Sequence, residues 1–303
     1  MIKKKIEKND YHESEEDMDI EVLISTKFNI NINTIKLIGE GLDSKAYLVN
    51  DEYIFKKSKH REAAENMKKE IQVLNYLDGK LSLKIPKIEF YDEEHSLCGY
   101  KQIKGQILNP EMFQAMTKEE QDELAEDIAQ FLEELHSVPL PNINGLEINV
   151  LEDYQNDYTA LKERVYDKLP MNSKKYLESL FEKILNDNRI TNYKKVLCHN
   201  DMSCKHIVIE NNVAVGVIDF GDVAITDRDK DFVYLLEDSS EEIGREFGLK
   251  VLEYYNHPNR DIAILKADLN KEYYPIEQIL GGESKGLEDL YNRGLNTIKN
   301  KKV

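Results

Sequence analysis

The chain has 303 residues, 33% of them charged, and its 41 Lys and Arg stand against 58 Asp and Glu for a net charge of −17. That length suffices for two lobes with separate cores in one catalytic unit rather than a string of small modules. The acid excess argues against nucleic acid or an anionic membrane as partner and favours polycations, although such a surface also serves solubility alone.

Residues 1–19 are charged and nonperiodic and read as a tail, and Ile20 to Phe28 reads as a short helix. The start is too charged for a signal peptide and no apolar run reaches membrane-spanning length, so a cytoplasmic protein is expected. Cys98, Cys198 and Cys204 lack metal-ligand spacing and are expected to be reduced.

Thr34 to Gly41, Ala46 to Asn50 and Tyr53 to Lys56 predict three short strands with a glycine turn at Gly39-Glu40-Gly41. Glu62 to Leu77 has helical spacing, with Ile71, Leu74 and Leu77 marking an apolar face beside Glu70. Lys84 to Ile88 and Cys98 to Gly105 predict further strands, and a boundary is placed at Lys104. Thr117 to His136 predicts a long amphipathic helix behind a capping box, and Val150 to Leu185 predicts two more. His136 is expected as a helix-end histidine rather than a ligand.

Val196 to Asp222 carries the chemistry: a short apolar run ends in His199-Asn200-Asp201, and two alternating runs meet at Asn211-Asn212 before Asp219-Phe220-Gly221-Asp222. The Asn pair predicts a hairpin that carries Asp219 back past Asp201 and His206. Phosphoryl transfer needs such a set: a carboxylate for the attacking hydroxyl, and another with a neutral partner for magnesium. A plain turn with loop caps is the alternative for either half alone. Downstream, Asp231 leads into a predicted helical stretch on which Glu237 and Glu241 share a face, with Asp238 and Glu242 beside them. That cluster contains no basic residue, which suits a cationic ligand, while a solvated acidic face is the plainer reading.

The His-Asn-Asp, Ser203-Cys204-Lys205-His206 and Val217 to Asp222 segments resemble the kinase-like antibiotic phosphotransferases, most closely the aminoglycoside 2''-phosphotransferases. The likeness extends from about Asn31 to Asn300, through Tyr234 to Asp238 and Tyr273 to Glu277. It implies an α+β, two-lobed, kinase-like fold: a tail over 1–19, an antiparallel-sheet nucleotide-binding lobe over 20–104, and a mainly helical catalytic lobe over 105–303. It further implies Asp201 as the catalytic residue, with magnesium on Asp219 and His206, where the wider superfamily has Asn in place of His206. Lys56 would orient the nucleotide phosphates, held by Glu70, with Glu62 and Glu65 as alternatives, and the Ser44 hydroxyl would touch phosphate. Backbone groups from Lys101 to Ile103 would read the purine. Tyr100 there would favour GTP over ATP, or is an ordinary strand aromatic. Glu237, Glu241, Glu242, Asp268 and Glu272 would line the substrate cleft, and Asp231 would brace the catalytic loop. The expected partners are an aminoglycoside and a nucleoside triphosphate, bound by a monomer. The alternatives are a kinase of another alcohol, such as an amino sugar, choline-like metabolite or macrolide, and a nucleotide-binding pseudokinase.

Overall fold

In the computed structural model the described residues are 19–301, and the tail expected over 1–19 lies, apart from Asp19, outside them. Contacts divide the chain into two compact units. The first holds the described chain up to Ala64 with Ile88–Gln102; the second holds Glu65–Lys87 and the chain from Ile103 on.

The first unit opens with α1 (Ile20–Phe28), capped by the Asp19 side chain. It continues with β1 (Ile35–Glu40), β2 (Ser44–Val49), β3 (Tyr53–Ser58), the first turn of α2 (Arg61–Leu77), β4 (Ile88–Asp92) and β5 (Leu97–Lys101). The strands form one antiparallel sheet in the order β1-β2-β3-β5-β4. Phe28, Phe55 and Phe90 stack against one another with ring centroids 5.2 to 5.6 Å apart, which closes α1 onto the sheet. The strand expected over Lys84 to Ile88 is displaced: only Lys84 bridges, to Gly216, and regular pairing begins at Ile88. Pro86 removes a ladder donor and explains the late start.

The second unit runs through β6 (Gln106–Ile107), α3 (Pro110–Ala115), α4 (Lys118–Ser137), α5 (Val150–Arg164), α6 (Met171–Asn186) and α7 (Asn188–Thr191). Then come β7 (Lys195–Cys198), β8 (Ile207–Glu210), β9 (Val213–Val217), β10 (Ala224–Asp227), α8 (Arg245–Tyr254), α9 (Arg260–Lys285) and α10 (Glu288–Asn300). Thr117 caps α4 through the expected capping box. Leu161, Leu177, Phe181, Ile276, Ile279 and Ile298 join α5, α6, α9 and α10 in one apolar core. Asn211 and Asn212, both at positive φ (53° and 67°), close β8 and β9 into the expected hairpin. Gly105 has φ 139° and a Cβ there would meet the Ile209 carbonyl at 2.6 Å, so only glycine lets β6 approach β8 this closely.

The helix expected after Asp231 does not form. A 3-10 segment, Arg228–Phe232, passes into turns, and α8 begins only at Arg245. Four carboxylates within six residues repel along a helix, and Gly244, at φ 109°, interrupts one. Asp238 instead accepts a hydrogen bond from Arg245 N at 3.0 Å, at the start of α8. Glu237 and Glu241 therefore do not share a helix face.

Candidate active site

β7 ends at Cys198, Asn200, at φ 67°, turns the chain after it, and Asp201 follows on the cavity wall. The loop is held from below by Asp231, which is fully buried and accepts from His199 N at 2.9 Å, Asn200 N at 2.5 Å and His136 at 2.9 Å. His136 thus supports the loop from α4, with its other ring nitrogen on Tyr255. His199 donates through Nε2 to the Ile218 carbonyl at 3.0 Å, which fixes the end of the hairpin next to Asp219. Burial lowers the His199 pKa, so the ring is neutral and its single proton serves that bond.

His206 Nδ1 lies 2.8 Å from the Asp201 carbonyl, which can only accept, so Nδ1 carries a proton, and in the neutral ring Nε2 keeps its lone pair. Nε2 faces Asp219 Oδ2 at 3.7 Å. A carboxylate oxygen and a ring nitrogen this close could be met by one divalent cation, the carboxylate being the kind of donor magnesium prefers. Asp219 itself sits at φ 64°, a conformation few residues other than glycine adopt, and it is the turn there that directs its carboxylate at His206. Burial first, and then the charges of Asp222, Asp219 and Glu242, outweigh His206 and push the Asp201 carboxyl up to about 6.

Asp201, Ser203, Lys205 and His206 line a cavity of 520 Å³ with Tyr234, Glu237, Glu241, Glu242, Asp268, Lys271 and Tyr274. The acidic groups differ in what they already hold. Glu242 is buried and accepts from Ser203 Oγ at 2.5 Å and Cys204 N at 3.1 Å, stapling the loop that carries Asp201. Glu241 pairs with Lys205, which holds its carboxyl below the usual range. Asp268 takes both guanidinium nitrogens of Arg245, at 2.6 and 3.1 Å, with the same effect. Glu237 is raised by burial and by Glu242. Glu272 is not brought to the cavity: it lies on α9 where its charge acts on Tyr176 of α6.

Lys56 on β3 and Glu70 on α2 are both buried but belong to different units. In the first unit, Ser44 opens β2, and Tyr100, 6% exposed, lies on β5 next to Lys101. Ile103 begins the second unit's continuation. Ser203, Lys205, Arg245, Tyr234 and Tyr274 were not singled out as site residues by sequence. Ser203, Lys205, Tyr234 and Tyr274 nevertheless sit inside the segments that carry the family resemblance.

A family model described as the phosphotransferase enzyme family matches residues 34–266. The chain belongs to that family. The phosphotransferase is similar over most of its length to solved aminoglycoside phosphotransferases. The gentamicin complex of APH(2")-IIa is 30% identical, with a TM-score of 0.87 over 95% of this chain and 98% of that one. The streptomycin-ATP ternary complex of APH(2")-IIa matches at 30% identity and 0.84, over 95% and 98%. The GDP and kanamycin complex of APH(2")-IIIa matches at 28% and 0.80, over 92% and 96%. The fold is thus the two-lobed α+β fold of that family, with an antiparallel sheet in its N-terminal region and helices in its C-terminal region.

Proposed function

We propose that this phosphotransferase moves the terminal phosphate of a nucleoside triphosphate, GTP in preference to ATP, to the 2''-hydroxyl of an aminoglycoside. The observation that carries this reading is the placement of Asp201 on a cavity whose other walls bear Glu237, Glu241, Glu242 and Asp268. A polyamine sugar suits such walls because each ammonium can make charge-assisted hydrogen bonds. Relatives whose solved complexes hold gentamicin, streptomycin with ATP, or kanamycin with GDP support it.

Asp201 holds and orients the acceptor hydroxyl and takes its proton as the new P–O bond forms and the bond from the terminal phosphorus to the departing nucleoside diphosphate breaks. A carboxyl at about 6 is ionised at neutral pH yet basic enough to accept that proton. Because the transition state is loose, positioning outweighs basicity. Asp219 and His206 Nε2 would hold magnesium, which neutralises phosphate charge when bound. Lys56 orients the phosphates, Ser44 contacts them, and Tyr100 with the Lys101 to Ile103 backbone selects the base. A phosphate-transfer assay with kanamycin and gentamicin against GTP and ATP tests the reading. Transfer to the 2''-hydroxyl, faster from GTP, is expected. Absence of transfer to any of them would return the choice to another alcohol acceptor, and equal use of both nucleotides would remove Tyr100 as selector.

A further inference from the structure

The cavity's carboxylates are not equally available to a cation. Glu241 is occupied by Lys205 and Asp268 by a two-pronged Arg245, whereas Glu237 forms no ion pair among the described residues. Lys205 reaches Glu241 from the catalytic loop, 36 residues away in sequence, and Arg245 reaches Asp268 from the start of α8. A substrate ammonium arriving at Glu241 or Asp268 therefore exchanges one cation for another. Most of the Coulomb gain at these two positions is cancelled, while at Glu237, on which Lys271 acts without forming an ion pair, more of it is kept.

We infer that Lys205 and Arg245 are specificity-determining residues: resident counter-ions that a cationic substrate must displace, so that they set how much positive charge it must carry. The inference rests on the aminoglycoside reading above and names how that site discriminates. Both ion pairs are solvent-accessible, with side-chain exposures of 54% and 72% for Lys205 and Glu241 and 27% and 52% for Arg245 and Asp268. Exposed pairs are weak, so displacement is feasible and its penalty is small but measurable.

The test is calorimetric titration of kanamycin, without nucleotide, into the unmodified protein, Lys205→Met and Arg245→Met at two salt concentrations. Each variant should bind up to about fivefold tighter, the range set by an exposed ion pair. The slope of log Kd against log salt should also steepen, because an unshared carboxylate adds a screened attraction. Equal or weaker binding overturns the role of the residue changed, and would mean that the cation holds its carboxylate in place for the substrate. Failure of the unmodified protein to bind kanamycin overturns the substrate reading and this inference together; binding without a gain in either variant overturns this inference alone.

Discussion

Asp201 shows how one half-buried carboxylate ties the proposed chemistry to stability. Folding raises its pKa from 3.8 to about 6, so the ionised form is disfavoured in the fold. This group does not affect stability below pH about 4, stability is lost as pH rises from there through about 6, and the loss is constant above that. Its side chain keeps 29% exposure, so the penalty above pH 6 is discounted to about 1 to 2 kcal/mol. Asp201→Asn should lower kcat about a hundredfold or more while raising the thermal midpoint in chelator, with a larger gain at pH 8 than at pH 5. Normal turnover, or a midpoint unchanged at both pH values, contradicts this account. Glu242 makes the converse case. Removing its carboxylate leaves Ser203 Oγ and Cys204 N without their buried partner. Glu242→Ala should cost about 1 to 3 kcal/mol in chemical denaturation and lower kcat through the loosened loop, whereas Glu241→Gln should leave stability within about 0.5 kcal/mol. Equal stabilities for the two variants would place Glu242 with the substrate instead of the loop.

At the scale of elements, the start of α4 is tied to the hairpin that carries His206 and Asp219 at its two ends. Glu120 completes the Thr117 capping box through Oε2 and accepts from Asn212 Nδ2 at 2.8 Å through Oε1. One carboxylate thereby secures a helix start and a turn 92 residues away in sequence. Thr117→Ala should cost about 1 kcal/mol, the usual worth of a cap, read as a lower denaturant midpoint with an unchanged slope. Glu120→Ala should cost more, since it removes the reciprocal cap and the tether together. A Glu120→Ala loss no larger than that of Thr117→Ala would show that the tether contributes nothing.

For the molecule as a whole, a charge of −17 sets up a field that attracts polycations and opposes nucleotides. kcat/KM for kanamycin should fall severalfold between about 0.05 and 0.5 M NaCl, as the Debye length shrinks below the span of the acidic surface. kcat/KM for GTP should hold steady or rise over the same range. Parallel falls for both substrates in steady-state assays would attribute the salt effect to the fold.

The residues by themselves determined what depends on local period and turn chemistry. The α4 stripe from Leu124 to Leu135, the Asn211-Asn212 turn and the convergence of Asp201, His206 and Asp219 all follow from spacing along the chain, and all are present. Sequence also marked Asp231 and the acidic run from Glu237 to Glu242. Only the tertiary structure decided how that run is used. It forms turns, with Glu242 turned inward to Ser203 and Glu241 to Lys205, and Asp268 is met by an arginine 23 residues earlier. Hydrogen-bond partners and counter-ions are chosen by proximity in the fold, and no periodicity encodes which distant charge will arrive. Glu272 makes the same point from α9: a carboxylate one residue from the cavity-lining Lys271 is rotated by about 100° around the helix, onto another face.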